Sequence, residues 1–184
     1  MSGVTLAPTQ IEVLLDNLPT YAKDLRLNYS TLVRQNSELS EQQLWGTLLV
    51  SALATRNPVL TASILEEAKT HLSDIALEAA QAAAAIMAMN NVFYRFHHLS
   101  SNAKYAAMPA KLRMNVMRTH SVDGVDFELW SLAVSAINGC GKCIDTHEQV
   151  LVAKGITEEI ILTTVRIASV VHGIGVVLDT AVPA

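Results

Sequence analysis

From Ser73 to Met89 the chain reads SDIALEAAQAAAAIMAM, and this stretch limits the fold more than any other in the 184 residues. Ser73-Asp74 is a helix-start pair, and Ile75, Ala79, Ala82, Ala83, Ile86 and Met89 follow at helical spacing. Side chains this small let neighbouring helices approach closely, so a long helix near the centre of a helical fold is expected. Composition points the same way. The chain is 51% hydrophobic, much of it alanine, leucine and valine rather than aromatic, with eight glycines and five prolines. Closely packed helices with little or no strand follow, and the length suffices for one domain with a proper core.

Other helices are punctuated clearly. Thr9-Gln10-Ile11 opens a short helix that Pro19 closes, and Thr20 starts a second through Tyr21, Leu25, Leu32 and Val33, both outer elements. Ser40 with Gln43 forms a capping box, and Leu44, Leu48, Leu49, Ala52 and Leu53 carry that helix to Asn57-Pro58. Residues 96–125 are less regular, with Pro109 and Asp123-Gly124, and should hold short helices and turns. A helix is expected from about Asp126 to Asn138, where Asn138-Gly139 stops it and the chain can reverse. Another begins around Cys140 and stops near Lys154-Gly155. The last is capped by Thr157, has Glu158 and Glu159 in its first turn, and spends itself near Gly173.

Two short strings repeat. Gln43-Leu44-Trp45 recurs as Glu128-Leu129-Trp130, and Ser73-Asp74-Ile75 meets Glu158-Glu159-Ile160 at the same offset. The single domain over 1–184 is therefore expected to hold two helical halves, roughly 40–95 and 125–180. At that offset Cys140, Cys143 and His147 fall on Thr55, Pro58 and Ala62, so reactive groups belong to the C-terminal half alone.

Charge excludes some partners. The net charge is −4, the pI is near 5.8, and no lysine or arginine cluster could neutralise a run of phosphates, which argues against nucleic acid. No apolar run is seen approaching the roughly 18 residues a membrane helix needs, so no membrane partner is expected. The start, MSGVTLAPTQ, carries no export or organelle signal, and cytoplasmic residence is the expectation. In a reducing compartment two cysteines three residues apart are catalytic or metal-binding more often than a structural staple.

Those cysteines define the chemistry. In Cys140-Gly141-Lys142-Cys143 the thiols stand at i and i+3, and His147 stands four residues beyond Cys143, so a helix puts all three on one face. Adjacent turns bring the two Cα atoms to roughly 5–6 Å, within reach of a disulfide. Free amides at the helix start, a histidine and the Lys142 cation each favour thiolate. The helix start favours Cys140 as the more acidic thiol, whereas the i+4 histidine favours Cys143. Half of a zinc site and an inert buried pair are the competing readings. His71, His97, His98, His120 and His172 lack a comparable neighbour in sequence and read as surface or core-edge residues, while Trp45 and Trp130 read as packing. Glu128 would lie about 18 Å from Cys140 along a straight helix, too far to act unless the chain reverses at Asn138-Gly139.

The string FELWSLAVSAINGCGKC at 127–143, followed by His147-Glu148, resembles the signature of the alkylhydroperoxidase D family in the carboxymuconolactone decarboxylase-like superfamily. YAKDLRLN at 21–28, QLWGTLL at 43–49, ATRNP at 54–58 and MNNVFYRF at 89–96 agree with it. The resemblance implies an all-α fold, a homotrimer and peroxidase activity with no bound cofactor. It implies that Cys143 attacks the hydroperoxide, that Cys140 resolves it as a disulfide, and that Glu128 and His147 form a proton relay. It further implies dihydrolipoamide as external reductant, delivered by a lipoylated acyltransferase with lipoamide dehydrogenase, and a peroxiredoxin as electron acceptor. One departure stands out: the family carries a histidine directly before the second cysteine, where this chain has Lys142. Two alternatives remain at this level: a disulfide carrier with little direct peroxidase activity, and a non-redox decarboxylase-like or scaffold oligomer.

Overall fold

A computed structural model describes residues 7–180. Among them the chain forms nine α-helices and no strand, as the composition predicts. They are α1 Gln10–Asp16, α2 Lys23–Arg34, α3 Glu41–Thr55, α4 Pro58–His71, α5 Asp74–Leu99, α6 Val116–Thr119, α7 Gly124–Ile137, α8 Gly141–Ala153 and α9 Glu158–Thr180.

Caps fix the boundaries. Thr9 with Glu12 and Ser40 with Gln43 form reciprocal capping boxes at the starts of α1 and α3. Asn57 caps α4 through Leu60 N–H at 2.8 Å, with Pro58 as the first helical residue. Sequence reading took Asn57-Pro58 only as a stop, whereas the pair both ends one helix and starts the next. Arg56, left-handed at φ 62°, makes the turn between them.

The centre belongs to α3 and α7 rather than to the alanine-rich α5. Every residue of α3 from Leu44 to Ala52 is buried, and so is α7 from Leu129 to Ser135. The two helices pack against each other, and both pack against α5 and α9. Helix α5 buries one face through Ala76, Ala80, Ala83 and Met87 and leaves Ile75, Val92, Phe96 and Leu99 exposed. Its small residues bring it close to the core, but only on that side.

Where α3 crosses α7, a Cβ at Gly46 would overlap the indole of the fully buried Trp130, whose Nε1–H donates to the Gln43 carbonyl at 3.4 Å. Gly46→Ala should therefore force the helices apart and cost about 3 kcal/mol, read as a lowered urea midpoint at unchanged slope. At the entrance to this crossing, Gln42 and Gln43 donate to the buried Asp126 carboxylate at 2.7 and 2.9 Å.

Helix α9 differs from expectation in two respects. It does not fade near Gly173 but continues to Thr180, because Gly173 and Gly175 admit Leu25 and Thr55 at close range. Asn57 Nδ2 then donates to Asp179 at 2.6 Å and ties down the last turn. By length and composition this helix also could cross a membrane, contrary to the sequence reading. Thr163, Ile167, Val171 and Ile174 are buried on its inner side, and it packs against α2, α3 and α7.

Tyr29 of α2 is buried with its hydroxyl unpartnered. Burial first, then the charges of Glu67 and Glu12, push its phenol well above the ordinary value. For an acid whose folded-state value is raised, stability is complete below the unfolded value near pH 10 and falls as pH rises beyond it. Tyr29→Phe should hold or improve stability at neutral pH, and it should flatten the alkaline loss in unfolding curves between about pH 9 and 11.

Candidate active site

The two helices that build the site meet at a reversal. Helix α7 ends at Asn138, Gly139 turns the chain at φ 65°, and Cys140 becomes the N-cap of α8 instead of its first residue. Its N–H donates to the Ser135 carbonyl at 3.1 Å, which seats the cap against the end of α7.

Cys140 and Cys143 are joined as a disulfide, with Cα atoms 5.3 Å apart. Cys143, His147 and Leu151 form the buried stripe of α8, and Cys140 joins them from the cap. The cysteines are 0% and 6% exposed and His147 is 5% exposed, so the site sits beneath the surface. The Cys143 N–H donates to Cys140 Sγ at 3.3 Å, which places the favourable end of the helix on Cys140. Lys142 points outward on the exposed side of the first turn.

The reversal at Asn138-Gly139 brings Glu128 back over α8. Its carboxylate accepts from His147 Nδ1 at 2.6 Å, with side-chain exposures of 20% and 6%. The four residues singled out from sequence thus gather where α7 meets α8, because the reversal that Glu128 requires is present. A carboxylate on Nδ1 orients the imidazole and leaves Nε2 as its working nitrogen.

Nε2 reveals a residue that sequence reading missed. It lies 3.3 Å from Met87 Sδ on α5, and Ser135 Oγ–H donates to the same sulfur at 3.8 Å. Behind them Asn91 donates to Ser135 at 2.9 Å, Asn138 donates to Asn91 at 2.9 Å, and Arg95 donates to the Asn138 carbonyl at 2.6 Å. Met87 reads in sequence as one more apolar position of α5. Only the consecutive polar pair Asn90-Asn91 inside an apolar helix hints that this face meets something polar.

The remaining histidines keep to the surface and core edge. His71 nonetheless has partners that sequence did not suggest: it stacks on Trp45 at 4.2 Å and bonds Glu41 at 2.6 Å. His120 stacks on Phe127 at 4.1 Å. Trp45 and Trp130 are core residues, as expected.

A buried CxxC disulfide at a helix start, backed by a histidine–carboxylate pair in an all-helical fold, defines a dithiol–disulfide protein. Known sequences agree in detail. The Carboxymuconolactone decarboxylase family matches residues 103–184. The alkyl hydroperoxide reductase AhpD of Acidobacterium capsulatum is 68% identical over 169 residues, covering 92% of each chain. That of Koribacter versatilis is 59% identical, covering 94% of this chain and 89% of its own. The protein of the same name from Solibacter usitatus is 57% identical, covering 92% and 96%. The chain belongs to the AhpD family of carboxymuconolactone decarboxylase-type proteins.

Proposed function

We propose that the protein is a thiol-dependent alkyl hydroperoxide reductase that runs on the Cys140–Cys143 pair without a bound cofactor. The observation that carries this reading is the joined cysteine pair on the same buried face of α8 as His147, itself paired with Glu128. In the dithiol form His147 takes the Cys143 proton, directly or through water, and the thiolate attacks the terminal peroxide oxygen. The O–O bond breaks, the relay returns the proton to the leaving alkoxide, and Cys143 is left as sulfenic acid. Cys140 then condenses with it, releasing water and forming the disulfide. An external dithiol restores both thiols by exchange.

Dihydrolipoamide on a lipoylated acyltransferase, recycled by lipoamide dehydrogenase, is the proposed reductant, and a peroxiredoxin is a proposed electron acceptor. A homotrimer and a cytoplasmic location complete the reading. The exposed apolar row of Val92, Phe96 and Leu99 on α5, with Tyr105, Met108 and Leu112 after it, supports burial against further copies. The two halves are read as copies of one unit, supported by the order α3–α4–α5 and α7–α8–α9, with Trp45 and Trp130 at matching places.

The test is peroxide-dependent NADH consumption by the purified protein supplied with lipoamide and lipoamide dehydrogenase. Turnover supports the reading. Silence that persists when a peroxiredoxin is added would overturn it, and turnover recovered only with the peroxiredoxin would recast the protein as a disulfide carrier.

A further inference from the structure

We infer that Met87 is a positioning residue for the relay: its thioether holds the Nε2–H of His147 while the cysteines are joined and releases it when they separate. The inference rests on the reading of this site as a dithiol peroxidase and adds a residue that the reading does not contain.

The geometry is specific. Both ring nitrogens of His147 face acceptors, Glu128 Oε2 at 2.6 Å on Nδ1 and Met87 Sδ at 3.3 Å on Nε2. A thioether carries lone pairs and no hydrogen, so the second contact is a hydrogen bond only when Nε2 is protonated. An ionised carboxylate likewise only accepts. With Glu128 ionised both contacts are satisfied by an imidazolium, and with Glu128 protonated and donating to Nδ1 they are satisfied by a ring protonated on Nε2, so in either case Nε2 carries the hydrogen. A neutral ring protonated on Nδ1 would turn a bare Nε2 lone pair toward sulfur lone pairs.

The sulfur is held in place. Met87 is 1% exposed, and Ser135 Oγ–H donates to the same atom from α7. No charged side chain of α5 touches the ring: Arg95 is engaged with Asn138, and the exposed His98 lies toward Gly141. On α7 the other nearby carboxylate, Asp126, is occupied by Gln42 and Gln43. Lys142, Asp145 and Glu148 of α8 are exposed, as are Glu158, Glu159, Arg166 and His172 of α9.

The disulfide explains why a parking place is useful. Joined sulfurs offer His147 no thiolate, so its proton needs another partner until reduction. When an external dithiol attacks, its thiolate forms a mixed disulfide with one cysteine and expels the other as a thiolate. If Cys143 leaves, Nε2–H swings from Met87 and protonates it. The second thiol of the reductant then displaces Cys140, closing the reductant's own disulfide. Two electrons pass from the dithiol to the protein disulfide, and its two hydrogens end on the cysteines, one through the reloaded relay.

Two measurements test this. The first needs no variant: the imidazole nitrogens of His147 are read by 15N NMR in the oxidised and the reduced wild-type protein. Nε2 protonated near neutral pH in the oxidised form, and changed in environment on reduction, is expected. An unprotonated Nε2 in the oxidised form would overturn the inference. The second uses Met87→Leu, which keeps the volume and removes the acceptor. Reduction of the disulfide by dithiothreitol should follow a pH profile displaced from that of the wild type, because the acceptor that holds the Nε2 proton is gone. Oxidation of the dithiol form by hydroperoxide should lose no more than about threefold. Equal effects on both half-reactions, or an unmoved pH profile in a folded variant, would make Met87 a packing residue only. Neither result depends on steady-state peroxidase turnover, so a silent peroxidase assay would sink the proposed function and leave this inference to be judged on the ring itself.

Discussion

Cys143→Ser should abolish peroxide-dependent NADH consumption, leaving the rate of the enzyme-free mixture. A serine hydroxyl has no thiolate to offer, and His147 stands one helical turn beyond Cys143 but two beyond Cys140, which joins the same buried face from the cap. Cys140→Ser should lose most of its steady-state turnover for a different reason. It retains the attacking sulfur and forms one equivalent of sulfenic acid per chain, and without the neighbouring thiol only the slower bimolecular condensation with dihydrolipoamide remains. A sulfenic-acid trapping reagent read by mass spectrometry separates the two variants. The hydrogen bond from Cys143 N–H to Cys140 Sγ makes this more than a formality, since that bond stabilises charge on Cys140 rather than Cys143. Trapped sulfenic acid in the Cys143→Ser protein would reverse the roles of the two thiols. Loss of fold is not an available explanation for either result. A disulfide between residues three apart closes too short a loop to constrain the unfolded chain much, so thermal unfolding should move little under reducing conditions.

How far the sequence anticipates this site depends on which contacts are local. Cys140, Cys143 and His147 lie within two helical turns, so spacing alone aligns them. Caps are equally local: Ser40 with Gln43 is visible because the partners sit three residues apart, and Thr9 with Glu12, which the structure adds, has the same spacing. Glu128 is legible only with the reversal at Asn138-Gly139, a turn whose composition announces a stop but not a direction. Met87 lies sixty residues before His147, and nothing in its own segment marks it out. Burial patterns misled in an instructive way. The alanine-rich α5 resembles a central helix, yet α3 and α7 take the centre because Gly46 lets Trp130 lie against the neighbouring backbone, a contact that needs both helices to be known. Likewise Gly173 reads as a helix end in isolation, whereas Leu25 packed against it makes the same residue a point of close approach.

His147→Ala should lower the rate of Cys143 oxidation by hydroperoxide about 10²- to 10³-fold, the usual worth of a positioned acid–base group. Single-turnover mixing of the dithiol protein with an alkyl hydroperoxide measures that step without interference from reduction. Glu128→Gln should cost less, about tenfold, because the amide oxygen still accepts from Nδ1 and keeps the ring oriented while the charge that favours imidazolium is lost. The two changes act through one proton path, so the double variant should be no slower than His147→Ala alone. The two half-reactions supply a second reading of the same relay: oxidation by peroxide asks His147 to accept a proton, and disulfide reduction asks it to donate one. If Glu128→Gln left the peroxide step unchanged at every pH, the 2.6 Å bond to Nδ1 would serve only to bury a polar pair at the crossing of α7 and α8. If it slowed oxidation and reduction alike, one imidazole would be shown to serve both halves of the cycle, held in place by the carboxylate behind it.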